Sequence, residues 1–412
     1  MRVTTTLLTS CLMACALTLA CVDPWLLTLR ATNDVIVVDG TITNLAEAQT
    51  IHLNRSQADS VTGQFGTLPL TKAQVEVVVD SSLVIACHET RAGSYQLPSD
   101  FKGQIGHAYQ LRFTLSDGTQ YLSTPQIMQP VPPIGKVTAK FNPKAFPTPF
   151  SDNVYTAGHE LFVDFTDPVN QRNYYRWRWT LYETQKWCRS CYEGVYAKNL
   201  LQPLAPAVYP YYYVSTQQSY EDCFSPPTGS FPRTRLSNQY ADYLCRTQCW
   251  EIIPGYGINV FSDQYSNGGL ITNRSVAHIP FYQQSPCLID IRQESLPIDA
   301  YQYYDLFQQQ TQRTGGLSDT PPSALGGNIH NRSNQSEVVI GYFTASAVSV
   351  THYYLLRNDT QGQASPGLFY ALNGRSPVAE TYLDFILNLP NDRTALCVPL
   401  DERTPIKPAG WP

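Results

Sequence analysis

Cys21 is the residue whose position most clearly predicts a chemical modification. It follows an uncharged, largely apolar segment, residues 3–20, with Arg2 as the basic residue in front of that segment. An apolar segment of this length, closed by the small residue Ala20, is typical of an export signal that a peptidase removes. The chemistry expected at such a junction is acylation of the cysteine thiol, which would attach the mature chain to a membrane through its lipid.

We therefore expect residues 1–20 to be a lipoprotein signal peptide, Cys21 to carry the lipid, and residues 21–33 to be the lipid tether. Two alternatives stay open: Cys15 could be acylated instead, or the chain could be exported without a lipid. The tether-like residues after Cys21 favour acylation there. After Arg30 no apolar run has transmembrane length, so the lipid would be the membrane attachment.

The other cysteines predict disulfide bonds. The sequence has eleven cysteines, and setting aside Cys11, Cys15 and Cys21 leaves eight. Exported proteins use cysteine mainly in disulfides. Five of the eight lie in one segment, which we expect to be a stapled, loop-rich insertion: Cys188, Cys191, Cys223, Cys245 and Cys249.

We expect at least one disulfide to join the first pair, Cys188 and Cys191, to the segment 223–249. The alternative is zinc, because Cys188-x-x-Cys191 together with Cys245-x-x-x-Cys249 resembles a layout of zinc ligands. The oxidising compartment and the irregular second spacing favour disulfides, so no metal site is predicted.

Motifs for catalysis are absent from the sequence. His88-Glu89 and His159-Glu160 begin like zinc-protease motifs, but neither has a second histidine at the required spacing. There is no nucleophile elbow, phosphate-binding loop or dinucleotide-binding glycine pattern. Asp164 and Asp167 flank a turn and are a weak candidate for calcium. We therefore predict a protein that is not an enzyme and has no cofactor.

Aromatic residues are the side chains best suited to binding. A net charge of −5 without a basic run argues against nucleic acid as a partner. The stretch from Tyr174 to Trp179 is one candidate contact, but in a strand one of its faces should belong to the core. A proline-rich insertion holds the better candidates for partner or ligand contact, because tyrosine gives a large contact area at low entropic cost. These are Tyr209, Tyr211, Tyr212 and Tyr213.

The elements that position these residues are predicted to be mostly β. Short strand-like runs separated by turn signals such as Asp39-Gly40 and Asp117-Gly118 indicate an N-terminal Ig-like β-sandwich over residues 34–130. A proline-rich linker follows. A larger β-rich domain, residues 134–412, is expected to hold the cysteine-rich insertion and one main helix near 295–314.

The helix has recognisable boundary signals. Ser295 is a favourable N-cap residue, and Pro297 fits the first turn. Gly315-Gly316 is expected to end the helix.

Several segments, taken in order, resemble a family of Bacteroidota outer-membrane lipoproteins that is catalogued as domain of unknown function 4249. The most specific is the Gly-Tyr-Phe-Thr-Ala-Ser sequence from Gly341 to Ser346. The other matching segments are Cys21 to Pro24, Ile36 to Thr43, Gly93 to Tyr95, Asp167-Pro168 with Asn173 to Arg176, the helix at 298–312, Gly327 to Ile329 with Asn331, and the close from Cys397 through Lys407 to Trp411.

The resemblance implies a context rather than a reaction. Such proteins accompany TonB-dependent outer-membrane transporters, and the family defines no catalytic residues. We therefore expect a lipid-anchored outer-membrane protein, facing the cell surface, that assists such a transporter or captures its substrate. A structural or adhesive surface lipoprotein is the alternative. The chain departs from the family pattern at the apolar Trp25-Leu26-Leu27, where acidic residues often stand, and at Cys397, which lacks a nearby partner cysteine.

Overall fold

The computed structural model describes most of the chain after the predicted tether. The described residues are 35–58, 65–147, 155–192, 195–196, 240–266, 268–312, 325–362, 364, 377 and 394–412. They are mostly β, as predicted, and contain one helix. Within them, no helix has the length and apolar composition that crossing a membrane requires.

The strands follow one another closely along the chain. The N-terminal part holds β1 (Ile36–Thr43), β2 (Thr50–Ala58), β3 (Phe65–Pro69), β4 (Gln74–Val79), β5 (Leu83–Ala86), β6 (His88–Arg91), β7 (Ser94–Gln96), β8 (Ala108–Thr114), β9 (Gln120–Ser123) and β10 (Gln126–Ile127). The middle holds β11 (Lys136–Pro147), β12 (Tyr155–Thr166), β13 (Tyr174–Thr184), β14 (Trp187–Tyr192), β15 (Val195–Tyr196), β16 (Tyr240–Cys245), β17 (Trp250–Pro254), β18 (Val260–Ser262), β19 (Leu270–Pro280) and β20 (Cys287–Ser295). The helix α1 (Ile298–Gln312) comes next, followed by β21 (Ile329–Asn331), β22 (Val339–Ser346), β23 (Val348–Leu355), β24 (Thr394–Ala395) and β25 (Arg403–Thr404).

Two six-stranded sheets form the first sandwich. One has the order β22-β1-β2-β7-β6 with β3 beside β2, and the other has the order β21-β9-β8-β4-β5 with β10 beside β8. Alternation of polar and apolar residues produces this arrangement, as in β8, where Tyr109, Leu111 and Phe113 point inward between partly exposed neighbours. The inward residues of both sheets share one core.

Two strands from far along the chain complete this sandwich. β22 pairs in parallel with β1 over its full length, from Ile36 opposite Val339 to Thr43 opposite Ser346. β21 pairs with β9 in the opposite sheet. The predicted range of 34–130 did not include these strands, because local periodicity identifies a strand but not its distant partner.

The second sandwich contains the longest strands. A sheet with the order β11-β12-β19 packs on a sheet with the order β23-β20-β13-β17-β25, in which β18 also pairs with β13. The core between them is built from β12, β13, β19 and β20, and its largest side chain is Trp177. On β13, Tyr175, Trp177 and Leu181 are buried in this core, whereas Arg178 is exposed. The stretch from Tyr174 to Trp179 is therefore largely structural.

A third, smaller sheet has the order β15-β14-β16-β24 and is stapled by disulfides. Cys188 of β14 is bonded to Cys245 of β16, which joins the two segments between which a bridge was predicted. Cys249 is bonded to Cys397, a partner 148 residues further along the chain. Disulfide bonding of the cysteine-rich segment is thus confirmed. Cys397, which has no nearby cysteine in the sequence, is bonded to Cys249 of that segment.

The helix lies where the two sandwiches meet. Its Ala300 is fully buried, and Tyr303 and Tyr304 contact the ring of Tyr342 from β22. The predicted N-cap was wrong: Ser295 belongs to β20, and its hydroxyl donates a hydrogen bond to the carbonyl of Gln129 at 2.6 Å. The Ser295 side chain therefore forms a hydrogen bond between the two sandwiches instead of capping the helix. The helix begins at Ile298.

Candidate functional site

Two loops meet at one end of the second sandwich, and each connects one of its sheets to the other. The first, residues 167–173, links β12 to β13, and the second links β18 to β19 through residues 263–266 and 268–269. The backbone nitrogen of Asp167 donates to the carbonyl of Gly269 at 3.0 Å, which extends the pairing of β12 with β19. We call these segments the paired loops.

A pair of buried aspartates lies beneath the paired loops. Asp167 is 1% exposed and Asp263 is 0% exposed. The Tyr175 hydroxyl donates to Oδ1 of Asp167 at 2.6 Å, and the backbone nitrogen of Gly268 donates to its Oδ2 at 3.1 Å. Oδ2 of Asp263 accepts hydrogen bonds from the backbone and side-chain nitrogens of Asn173, at 2.9 and 3.3 Å. Oδ1 of Asp263 has no hydrogen-bond partner within the described part of the chain.

This environment disfavours a second negative charge. Burial is the main cause that raises the pKa of Asp263, and the neighbouring carboxylate of Asp167 raises it further. Burial likewise raises the pKa of Tyr175, with a further contribution from its hydrogen bond to Asp167. Tyr175 therefore remains a neutral donor.

Three large apolar side chains are exposed on the paired loops or at the first residue of β19, which follows them. Val169, Tyr265 and Leu270 are 63%, 93% and 68% exposed, respectively. Gly268 has a φ of +79°, and a side chain there would also collide with Val169, so glycine is needed for the two loops to touch. Beside Leu270 is a depression of about 350 Å³, and its other lining residues are Pro133, Gly135, Lys136, Asp164, Phe165 and Thr166.

The two aspartates singled out from the sequence do not act together. Asp164 lies at the surface depression, where its Oδ1 accepts a hydrogen bond from the backbone nitrogen of Asn273 at 2.8 Å. Asp167 points inward and meets Asp263 instead. Sequence analysis missed Asp263 because 96 positions separate it from Asp167 (263 − 167) and no motif links them.

Most other buried charges are tied into ion pairs. Glu294 accepts hydrogen bonds from Nε of Arg176 and from Nε of Arg178, both at 2.7 Å. Burial works against ionisation of Glu294, but Arg176 and then Arg178 outweigh it and hold its pKa below the usual value. Arg176 also lies over the ring of Tyr304, with its guanidinium carbon 4.4 Å from the ring centre. This cluster holds β13, β20 and α1 together.

The cysteine sulfurs form a second cluster. The Sγ atoms of Cys188, Cys245 and Cys249 lie within 4.8 Å of one another, and Cys249 is bonded to Cys397. Because all four sulfurs are in disulfides, none is a free thiolate that could bind zinc. The remaining predicted site residues lie outside the described part of the chain: Cys21, the side chain of Cys191, Cys223, Tyr209, Tyr211, Tyr212 and Tyr213.

Comparison with known proteins places the chain in a family. Neither the curated proteins nor the solved structures gave a significant match. A sequence model of the family described as "Domain of unknown function (DUF4249)" matches residues 22–352. Because this match covers most of the 412 residues, the chain belongs to the DUF4249 family.

Proposed function

We propose that this protein is a lipid-anchored, non-enzymatic component of the outer membrane that binds a TonB-dependent transporter, either as its accessory or to capture its substrate. The observation that carries the binding role is the exposure of three apolar side chains on or next to the paired loops, since Val169, Tyr265 and Leu270 are all more than half exposed. Exposed apolar side chains gathered on a folded surface are typical of contact sites.

The anchor and the fold complement one another in this proposal. The chain from Cys21 to Ile36 spans at most about 54 Å, since an extended residue adds at most roughly 3.6 Å. A lipid at Cys21 would therefore keep the folded body close to the membrane. Confinement of this kind raises the effective concentration toward a membrane partner without any added contact.

The buried charges fit a binding scaffold better than a catalytic site. Glu183, Glu251 and Glu294 each form an ion pair with an arginine inside the fold. Their charges are used to join elements of the scaffold. The predicted contacts in the insertion, Tyr209, Tyr211, Tyr212 and Tyr213, would extend the same binding role.

The experiment compares a variant of the paired loops with a matched surface control. Tyr265→Ser with Leu270→Ser removes two exposed apolar side chains and should leave the thermal midpoint nearly unchanged. Tyr256→Ser is the control, because Tyr256 is 88% exposed but lies outside the paired loops. We expect the double variant to lose roughly tenfold or more of the transporter that co-purifies in mild detergent, since a few residues dominate an interface.

The anchor is tested separately with Cys21→Ser, which should abolish lipid labelling and release the protein from membranes. Transporter recovery at the wild-type level from the Tyr265/Leu270 variant would reject the paired loops as the contact. Failure of the wild-type protein to recover any transporter would reject the proposed function and favour the structural or adhesive alternative.

A further inference from the structure

The buried aspartate pair differs from the other buried acids in its surroundings. Glu183, Glu251 and Glu294 each have an arginine within ion-pair distance. In the residues that the structure describes, neither Asp167 nor Asp263 forms an ion pair with Lys, Arg or His. Two carboxylates that face each other in a buried site oppose each other's ionisation unless a positive charge compensates them.

The hydrogen bonds show where a compensating proton would sit. Both oxygens of Asp167 already accept a hydrogen bond from a neutral donor, as expected for a carboxylate. Oδ2 of Asp263 also accepts, from Asn173. Oδ1 of Asp263 is the one oxygen of the pair without a partner among the described residues, although Asp263 is fully buried. A proton on this oxygen would turn it into a donor toward Asp167 and satisfy every polar atom of the pair.

We propose that Asp263 carries a proton on Oδ1 and donates it in a hydrogen bond to Asp167, forming a pH-sensitive latch between the paired loops. The latch joins the 167–173 loop to the loop that carries Tyr265. When the proton is lost, two buried carboxylates face each other and the loops are driven apart. The latch exists whether or not the proposed function holds; only its use in presenting the apolar surface rests on that function.

The direction of the pH dependence follows from the surroundings of Asp263. Among the described residues, the ionisable groups that face it are Asp167, from the first of the paired loops, and Tyr175, from β13. The folded state raises the pKa of Asp263. Its contribution to stability is therefore fully present below the pKa that it has in the unfolded chain, and is lost as the pH rises through the higher pKa of the folded state.

The test uses Asp263→Asn, whose side-chain nitrogen donates a hydrogen bond to Asp167 at every pH. Thermal midpoints are compared with those of the wild type from about pH 4, near the ordinary carboxyl pKa, upward to about pH 8. We expect the wild-type midpoint to fall by several degrees as the pH rises and the Asp263→Asn midpoint to change much less. Asp164→Asn, at the neighbouring surface, should retain the wild-type pH dependence.

A second measurement needs no variant. Aspartate labelled with ¹³C at the side-chain carboxyl should show by NMR, in the wild-type protein, one acid that keeps its proton to a higher pH than the other aspartates. Hydrogen exchange of the 263–269 peptide, corrected for its intrinsic pH dependence, should rise as that signal titrates. The latch is refuted if no aspartate keeps its proton to a higher pH than the others, or if Asp263→Asn keeps the wild-type pH slope. A large stabilisation of the wild type by added Ca²⁺, absent in Asp263→Asn, would also overturn it and identify a cation in place of the proton.

Discussion

Glu183 and Arg357 form one of the most completely buried ion pairs in the described part of the chain, with both side chains fully excluded from solvent. Arg357 also donates to the carbonyls of Gln283 and Ser285, at 2.8 and 3.0 Å. Arg357 thus neutralises a buried carboxylate and also donates hydrogen bonds to carbonyl groups of the loop between β19 and β20. Burial nevertheless raises the pKa of Glu183, against the opposing effect of Arg357.

Removal of this arginine is expected to be costly. Arg357→Met leaves Glu183 buried and unpaired, which should lower the free energy of unfolding by about 3–5 kcal/mol. The matched control is Arg332→Met, at an exposed arginine, which should change it by less than about 0.5 kcal/mol. The deficit of Arg357→Met should shrink as the pH falls, because a protonated Glu183 carries no charge. Equal midpoints for the two variants in denaturant titrations would contradict this prediction.

One disulfide lies within the small sheet, and the other binds the C-terminal segment. Cys188–Cys245 joins two neighbouring strands of the small sheet, whereas Cys249–Cys397 attaches the C-terminal segment to it. That segment adds β25 to the large sheet and packs Trp411 against Trp250. The second bridge is therefore the one that closes the fold across the greatest length of chain.

Loss of the second bridge should destabilise the protein more than loss of the first. The two bridges span 148 and 57 residues. Restriction of the unfolded chain predicts a total loss of about 2–5 kcal/mol for Cys249→Ala with Cys397→Ala. It also predicts a loss about 1 kcal/mol smaller for Cys188→Ala with Cys245→Ala. Both partners are replaced together because a lone Cys249 thiol could attack the neighbouring bridge.

The control for the bridges is Cys87→Ala, at a free, partly buried thiol. It should have a small effect on unfolding in denaturant. An order of stabilities opposite to that expected for the two bridges would show that strain or contacts in the folded state, rather than chain length, set their contributions.

At the scale of the whole molecule, a strand from late in the chain pairs with the first strand. β22 follows the helix and completes the first sandwich, and β23 then enters the second. Polar contacts also join the two sandwiches. Arg292 forms an ion pair with Glu47 at 2.9 Å, and the backbone nitrogen of Val348 donates a hydrogen bond to the side chain of Asn44 at 2.8 Å. The two sandwiches share strands and contacts, so neither consists of one continuous stretch of chain.

Gly341 is expected to be essential for this closure. Its φ is +94°, and a side chain there would collide with the carbonyl of Val38 on β1. Gly341→Ala should therefore disrupt the pairing of β1 with β22 and lower the thermal midpoint severely. Gly118→Ala is the matched control, since Gly118 has a φ of +86° but open space around it. The control should show only the backbone cost of about 1–2 kcal/mol; similar midpoints for the two variants would rule out a steric role.

Local patterns in the sequence predicted much of the fold. Alternating apolar residues predicted the β class, and the run after Pro297 predicted a helix near 295–314, which the structure has at Ile298–Gln312. Such patterns can be recognised in the sequence because the spacing of apolar residues shows which face of a strand or helix is buried. The family resemblance also came from ordered motifs, and the match over residues 22–352 confirms it.

Tertiary structure alone decided which distant residues meet. The partner of β1, the bridge from Cys249 to Cys397, and the contact of Asp167 with Asp263 each join segments separated by tens to hundreds of residues. A sequence pattern records whether a residue prefers burial, but the choice of partner depends on how whole sheets pack. For Asp263, that packing removes water and brings a second carboxylate close, so the chemistry proposed for it exists only in the folded chain.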